Sequence, residues 1–468
     1  MKQVCCYFDK ENRISHIPDP IRSHIVSFLP MKEAMRSSIL SRQWRYVCSS
    51  LSNLDFKQCD FEETKERKTG DFVDFIDEML STHDGLDITR FSLNMKADDP
   101  FLYSRQLNSW ISFAVKHNVR DFELSSYICR RRFEKLPQCL FTSSSLTKLS
   151  LYTVELNLPT IVNFPVLKSL LLDDVTFLGE NLVNKLLSSS SCPVLEKLVI
   201  WYCCCIDINT ISISIPTLKY LTLFDTHELN ISIINSVLRK LKYMCCNPPN
   251  IIYENVISVV SAKFDFSLDI SLCSPPVDSF FKSASKILVW LRNVEKLCLL
   301  SGFIEMPVQF LSRDREFLAS KPSSCCSLKH LHVDMFASEK HAQVITLLSR
   351  SYPNLQTLSI IVEDLYEKAA ISNMANVEEC WKPTQLPSGD ILNSLKTVDI
   401  EGFKGSDGEL CLVRFLLENA KILEKMNICY SDEKLETVRC QMCITEMLPK
   451  FTKVSPLVTI SISSKLFC

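Results

Sequence analysis

The chain has 468 residues, 46% of them hydrophobic, which allows several small domains or one repeat array with an appendage. Its 52 basic and 54 acidic residues leave a net charge of -2, so the basic surplus typical of nucleic-acid-binding proteins is absent. No run approaches the roughly 18 apolar residues of a membrane-spanning helix. The sequence therefore predicts a soluble folded protein that binds neither nucleic acid nor membrane.

The 22 cysteines are unusual in number and often adjacent, as at Cys203, Cys204 and Cys205. Adjacent cysteines rarely pair with each other, and the N-terminus lacks the long apolar stretch of a secretory signal. Free thiols persist in reducing compartments. We therefore expect the protein in the cytoplasm or the nucleus.

Residues 13–56 predict three short helices. Asp19 can cap the first, with Pro20 at its first position and Pro30 at its end. Its apolar residues recur at helical spacing and are Ile21, Ile25, Phe28 and Leu29. A second helix, at about residues 32–40, is expected to turn Ala34, Met35 and Ile39 toward a core. A third begins at Ser41 and aligns Trp44, Val47 and Leu51. So small a domain buries little surface, so we expect a partner.

The order of these motifs resembles the F-box of plant-type F-box/LRR proteins. Ile17 and Pro18 precede the first helix, Phe28, Leu29 and Pro30 end it, and residues 38–41 lead to Trp44 and Arg45. The family pattern usually has Leu where this chain has Ile17, and often a basic residue where it has Gln43. The alternative is a helical cap on the segments that follow. The resemblance implies these adaptor-facing residues: Ile17, Pro18, Ile21, Ile25, Leu29, Leu40 and Trp44.

Beyond a charged stretch at residues 60–70, the chain repeats an L-x-x-L-x-L pattern. Leu146, Leu167, Leu195 and Leu218 begin successive copies, at the period of roughly 20 to 29 residues that defines leucine-rich repeats. Further copies begin at Leu328, Leu355, Leu395 and Leu423, with weaker ones at Leu238 and Val294. Cys203 falls where the repeat favours Asn or Cys, but the other copies lack such a residue. The array is therefore expected to be irregular.

Each repeat presents an apolar strand face that only stacking against its neighbours can bury. The fold class predicted is thus an α/β repeat, with a short three-helix F-box followed by an irregular leucine-rich-repeat solenoid. Segments 180–187 and 343–348 suit helices on the convex side. The alternate residues of each strand are left on a concave sheet that can bind other molecules.

The resemblance covers most of the chain, and residues 383–462 resemble the family's C-terminal FBD module. The predicted domains are an F-box at 13–56, a connector at 57–71, a leucine-rich-repeat array at 72–382, and FBD-like repeats at 383–462. The repeats between about 245 and 290 cannot be placed from the pattern.

Residues with catalytic or metal-binding spacing are few. Cys440 and Cys443 have the spacing of half a zinc site, but no second pair follows, so packing is favoured. His330 and His332 alternate along one strand and lack a nearby third ligand. No metalloprotease helix motif or nucleophile elbow occurs. We therefore expect no catalytic residue, no metal and no cofactor.

The resemblance implies a non-catalytic receptor in an SCF-type E3 ubiquitin ligase. The F-box would bind a Skp-type adaptor and through it a cullin, and the repeats would hold an unknown target protein. Holding target and ubiquitin donor together raises their effective concentration without any catalytic group on the receptor. Two alternatives are a leucine-rich-repeat scaffold that forms no ligase and a hydrolase or small-molecule receptor within the solenoid.

Strand alternation also predicts a target site. If Leu149 and Leu151 point inward, alternate residues lie on the concave face. Aromatic side chains on such a face are typical of binding hot spots. The predicted target-binding residues are Tyr152, Trp201, Tyr220 and Phe224. The alternative is that the poorly patterned segment folds over these side chains and buries them as core.

Overall fold

A computed structural model divides the chain into two compact units, residues 1–208 and residues 209–468. The described residues are 17–61, 70–95, 100–126, 136–178, 180–205, 210–224, 230–234, 237–244, 251–254, 259–265, 293–301, 327–335, 352–363, 392–403, 407–430 and 448–464, with 304, 344, 348 and 405. Within these residues, no helix is long and apolar enough to cross a membrane.

The first unit combines helices with a parallel sheet. Its helices are α1 (Asp19–Ser27), α2 (Met31–Ser37), α3 (Arg42–Ser49), α4 (Gly70–Thr82), α5 (Pro100–Lys116), α6 (Gln138–Phe141) and α7 (Glu180–Leu186). Its strands are β1 (Asn53–Lys57), β2 (Arg90–Met95), β3 (Asp121–Ser126), β4 (Lys148–Asn157), β5 (Ser169–Leu178), β6 (Lys197–Trp201) and β7 (Cys204–Cys205). Strands β1 to β6 pair in chain order, and β7 pairs with β5.

The second unit contains two sheets. Its strands are β8 (Thr210–Ile213), β9 (Tyr220–Phe224), β10 (Asn230–Ile234), β11 (Lys240–Met244), β12 (Ile251–Glu254), β13 (Ser261–Asp265), β14 (Lys296–Leu299), β15 (His330–Met335), β16 (Thr357–Val362), β17 (Thr397–Phe403), β18 (Lys425–Tyr430) and β19 (Thr459–Ser464). One sheet runs β9, β11, then β13 to β19, and the other runs β12, β10, β8. Helix α8 (Asp407–Asn419) lies between β17 and β18 in sequence.

The repeat leucines form the core, as the pattern predicts. In the copy beginning at Leu146, Leu149 and Leu151 are buried, and the same holds for every other predicted copy, including the weaker ones at Leu238 and Val294. Their strands pair in register and in parallel, so equivalent leucines stack from strand to strand. The prediction of a short helical segment followed by a leucine-rich-repeat array is confirmed.

Two local predictions in the helical segment are corrected. Helix α1 begins at Asp19 with Pro18 at the cap position, so Asp19 lies in the first turn instead of capping the helix. Helix α2 ends at Ser37, and Ile39 in the following turn is 82% exposed instead of facing a core. Of the apolar residues of α1, Val26 is buried, whereas Ile21 and Ile25 are exposed.

The convex-side helices predicted from sequence are found in part. Helix α7 lies within segment 180–187, whereas segment 343–348 falls mostly outside the described residues. Within the described residues between β7 and β13, short strands alternate with the repeat strands and form the sheet of β8, β10 and β12. The inward side chains of β8 and β10 are isoleucines, including Ile211 and Ile231, which are buried.

A bulge recurs at one position of the repeat. Thr153, Asp174 and Tyr202 each have left-handed backbone, with φ of 56°, 52° and 50°. They follow residues that are register neighbours on β4, β5 and β6. Gly402 repeats the feature in β17, with φ of 75° and a register shift beside it. The left-handed residue turns the backbone at the same point of each of these repeats, and at Gly402 it coincides with a register shift between β17 and β18.

Cys203 occupies the inward position after the bulge of β6. It is fully buried, and its thiol donates to the carbonyl oxygens of Leu172 at 3.5 Å and Trp201 at 3.2 Å. Burial raises the pKa of Cys203, so the group remains a neutral thiol. The residue therefore satisfies backbone carbonyls in the way the repeat position requires.

Candidate binding surfaces

Helices α1 to α3 leave an unusually apolar surface exposed. Phe28 is 74% exposed and Ile39 is 82% exposed, although both are large apolar side chains. The exposed apolar side chains between residues 21 and 46 are Ile21, Ile25, Phe28, Leu29, Ile39, Leu40 and Tyr46. We call this set the apolar F-face. Large apolar side chains exposed in this number on one small domain mark a candidate interaction site, because exposing them to water is costly.

The core beneath this surface holds the three helices together. Trp44, Val47 and Cys48 of α3 are buried, and Cys48 Sγ donates to the carbonyl of Ala34 at 3.1 Å. The Ser41 hydroxyl accepts from the Trp44 backbone N–H at 3.4 Å and caps α3. Such a cap satisfies one of the amide groups left without a partner in the first turn.

A buried arginine links α1 to α3. The Arg22 guanidinium donates to the Asp19 carboxylate and to the Gln43 side-chain oxygen. Gln43 thus has a structural role, at a position where plant-type F-box/LRR proteins often have a basic residue. This link fixes the orientation of α1 and therefore of its exposed apolar residues.

The predicted adaptor-facing residues divide into an exposed set and a buried one. Ile17 is half-buried, and the exposed members are Pro18, Ile21, Ile25, Leu29 and Leu40. Trp44 is only 4% exposed, so its prediction as a surface contact is corrected: the indole packs inside the helical segment. Three short helices need one large side chain at their centre, and Trp44 fills that place.

A depression of about 450 Å³ adjoins the apolar F-face. Its lining includes Phe28, Leu29 and Met31, together with Asn53 and Lys57 of β1. Its mixed lining suits a partner side chain with an apolar body and a polar tip.

The sheet of the first unit has one side that faces away from the repeat core, which we call its open face. There Tyr152 on β4 is in register with Asp173 on β5, and Asp173 with Trp201 on β6. Tyr152 and Trp201 are both half-buried. This burial lies between the two alternatives predicted from sequence, an exposed target site and a buried part of the core. Burial raises the pKa of Asp173, and the neighbouring Asp174 carboxylate raises it further.

Ion pairs neutralise the adjoining part of this open face. Arg90 on β2 pairs with Glu123 on β3 at 2.8 Å, and Lys148 on β4 pairs with Asp121 at 3.1 Å. The charges therefore balance across β2 to β4. The aromatic row beside them offers apolar contact area on either side of the Asp173 carboxyl group.

The other two predicted target-binding residues lie in the second unit. Tyr220 begins β9 and is 39% exposed, while Phe224 ends that strand and is half-buried. Lys240 Nζ lies 5.8 Å from the centre of the Tyr220 ring, which is within the range of a cation–π contact.

The histidines and cysteines form no metal site within the described part of the chain. His332 contacts Ser359 Oγ at 3.0 Å through Nδ1 and the Asp334 carboxylate at 2.8 Å through Nε2, so both ring nitrogens have partners. Cys440 and Cys443 fall outside the described residues.

Two known domains match the chain. The F-box domain matches residues 14–56, and the At1g61320/AtMIF1 LRR domain matches residues 79–462. The chain is an F-box protein of this leucine-rich-repeat family. F-box domains in general bind a Skp1-type adaptor, and proteins of this type in general act as substrate receptors or adaptors and not as enzymes.

Relatives from Arabidopsis thaliana match over nearly the full length of both chains. F-box/LRR-repeat protein At2g42730 is 27% identical over 454 residues, covering 93% of this chain and 95% of that protein. F-box/LRR-repeat protein At4g14096 is 29% identical over 440 residues, covering 91% and 89%. F-box/FBD/LRR-repeat protein At1g78750 is 27% identical over 434 residues, covering 90% of each.

Sequence reasoning missed part of the F-box/LRR protein's surface. Phe28 and Ile39, its most exposed large apolar residues between positions 17 and 61, were not among the predicted adaptor contacts. The signal was present, because both adjoin the end of a short helix, where three helices cannot enclose every apolar residue.

Proposed function

We propose that this F-box/LRR protein is the substrate-recognition subunit of an SCF-type E3 ubiquitin ligase. Its F-box binds a Skp-type adaptor, the adaptor binds a cullin, and the leucine-rich repeats hold a target protein. The observation that carries this proposal is the apolar F-face. Large side chains such as Phe28 remain exposed there while the helices' own core is complete around Trp44.

The adaptor contact is proposed to use the exposed members of the predicted set together with Phe28 and Ile39. Apolar side chains at the centre of an interface carry most of its binding free energy. The target contact is proposed to use Tyr152 and Trp201 on the open face of the first unit, and Tyr220 and Phe224 on that of the second.

The proposed domain organisation keeps an F-box at 13–56, a connector at 57–71, repeats at 72–382 and an FBD-type module at 383–462. Strand β1 pairs with β2, so the repeat sheet already begins at the end of the F-box segment. At1g78750 and At4g03220 both carry FBD in their names, which supports the C-terminal module. Strands β17, β18 and β19 pair in parallel within it.

We place the protein in the cytoplasm or the nucleus. The ten cysteines among the described residues are all free, including the neighbours Cys203, Cys204 and Cys205. Free thiols in this number are compatible with a reducing compartment.

Leu29→Arg tests the proposal directly. The arginine places a charge in the apolar F-face without removing a core residue, so adaptor binding should weaken by about 2 kcal/mol or more, roughly 30-fold. The measurement is capture of a purified Skp1-type adaptor by the full-length protein, with the thermal melting temperature as a check on folding.

Leu86→Arg is the matched control, because Leu86 is an exposed leucine of the first unit outside the F-box. It should leave adaptor capture unchanged. Undiminished capture by Leu29→Arg would overturn the adaptor site. Adaptor capture without co-purification of a cullin would favour a scaffold that forms no ligase.

A further inference from the structure

The open face of the second unit's sheet carries four lysines on three neighbouring strands. Lys240 and Lys242 lie on β11, Lys263 on β13 and Lys296 on β14. Lys242 is directly opposite Lys263, while Lys240 and Lys296 lie on either side of Ser261. Neighbouring strands are about 4.8 Å apart, so the four side chains share a patch about 10 Å wide. We call these four residues the lysine patch.

Among the residues that the structure describes, the lysine patch lacks the neutralising partners that other lysines have. Several lysines elsewhere in the sheets pair with a carboxylate one strand away, as in Lys148–Asp121 at 3.1 Å and Lys329–Glu295 at 3.4 Å. Within the described residues, no carboxylate forms an ion pair with the four patch lysines. Lys240 contacts the Tyr220 ring, which supports a cation without cancelling its charge.

The described residues next to the lysine patch do little to cancel its positive charge. Cys298 lies opposite Lys263, and burial raises its pKa to about 11, so the thiol remains neutral at physiological pH. Asp265 is the one carboxylate on the described open face of β11, β13 and β14. On the next strand, Asp334 is engaged by His332 at 2.8 Å. Four ammonium groups therefore face a single carboxylate on these strands.

The pairing of Lys242 with Lys263 is unfavourable for folding. Like charges directly opposite each other on neighbouring strands destabilise a sheet. A sequence that breaks such a local rule often does so where another molecule supplies the compensation. The lysine patch therefore calls for a negatively charged ligand.

We propose that the lysine patch binds an acidic segment, rich in Asp and Glu, of the target protein. This inference rests on the proposed function and specifies the target's chemistry. Lys240 and Lys242 are two residues apart on a strand, and an extended peptide places alternate side chains about 7 Å apart on one side, so its carboxylates can match them. Lysine supplies a compact charge with three hydrogen-bond donors.

A nucleic acid suits the lysine patch less well. Its phosphates continue beyond a patch of this width, onto a row that holds Asp265 and Asp334. Two of the four lysines, Lys242 and Lys263, are half-buried, which fits a short run of carboxylates better than a long phosphate backbone. The chain's net charge of -2 also lacks the basic surplus typical of nucleic-acid-binding proteins.

The test is binding of a fluorescein-labelled ten-residue polyglutamate peptide to the full-length protein, measured by fluorescence anisotropy at low salt. The double variant Lys242→Glu, Lys263→Glu should bind about tenfold more weakly or worse, because attraction becomes repulsion. The double variant Lys242→Gln, Lys263→Gln should lose less peptide affinity, because it removes the charges without reversing them. It replaces the glutamate variant as the test if that variant fails to fold. Raising the salt concentration should weaken wild-type binding.

The matched control is Lys450→Glu with Lys453→Glu, which makes the same charge change at exposed lysines outside the patch. It should change the affinity by less than about twofold at roughly 0.15 M salt, since charges outside the contact are screened there. Equal loss in both double variants overturns the inference, as does tighter binding of a ten-nucleotide thymidine oligomer. Adaptor capture is measured on the same samples. Absent peptide binding with intact adaptor capture overturns only the lysine patch, whereas absent adaptor capture by the wild type overturns the proposed function.

Discussion

Asp173 lies between Tyr152 and Trp201 in the register of β4, β5 and β6. Burial and the adjacent Asp174 raise its pKa above the ordinary value of 3.8, because the charged form is poorly hydrated there. The folded chain thus retains this proton to higher pH than the unfolded chain. Stability consequently falls as the pH rises from about 4 through the raised pKa, and it stays lower at neutral pH.

Asp173→Asn should therefore raise the melting temperature at pH 7. The gain in unfolding free energy should be less than about 1 kcal/mol, since the carboxylate is still partly in contact with water. It should shrink as the pH approaches 4, where wild-type Asp173 takes up its own proton. Thermal melts of both proteins across this pH range measure the effect.

Asp74→Asn is the control, because Asp74 is an exposed carboxylate on α4. It should give no comparable gain. An Asp173→Asn gain that is the same at pH 4 and pH 7 would contradict the electrostatic explanation.

At the scale of the strand, the bulge of β17 requires glycine. Gly402 has φ of 75°, a region that side chains with a Cβ adopt at a cost. A Cβ there would lie 2.5 Å from the carbonyl oxygen of Val362 on β16. Since that oxygen belongs to the backbone, the two strands would have to move apart.

Gly402→Ala should lower the unfolding free energy by about 2 kcal/mol or more, combining backbone strain with the clash. Gly85→Ala separates the two effects, because Gly85 also has positive φ but its Cβ would meet only His117 at 3.7 Å. Its melting temperature should fall less. If Gly402→Ala and Gly85→Ala lose equal unfolding free energy, then β16 and β17 accommodate the added methyl group beside Val362 without a further free-energy cost.

At the scale of the whole molecule, the apolar F-face and the aromatic residues of the sheets are proposed to bind different partners. Trp201→Ala tests this division, since Trp201 is half-buried on the open face of β6. In proximity labelling with the wild type, candidate targets are the proteins whose labelling rises when the proteasome is inhibited. Trp201→Ala should no longer label these proteins, while its adaptor capture and melting temperature stay unchanged. Aromatic hot spots typically contribute about 2 kcal/mol or more to binding.

Tyr202→Ala is a neighbouring control, because Tyr202 is exposed in the bulge that follows Trp201. It should retain the labelled proteins. A large fall in the melting temperature of Trp201→Ala would instead show that the indole is structural.

Much of the repeat core could be predicted from sequence. Leu149, Leu151 and their equivalents recur at a fixed period, and each strand must bury its own alternate residues whatever lies elsewhere in the chain. Strands β3 and β13 were missed, because Phe122 and Ala262 stand where the pattern expects leucine. The sheet of β8, β10 and β12 was also missed, since its strands lie between the copies that the leucine pattern marks.

The sequence by itself determined the three helices, the repeat period and the inward leucines, because these follow from spacing along the chain. Only the tertiary structure decided which side of α1 is exposed, that Trp44 is internal, and that Lys242 faces Lys263 across two strands. Those facts depend on how helices cross and how strands distant in sequence are aligned. The binding surfaces depend on such alignments, whereas the core depends mainly on local periodicity.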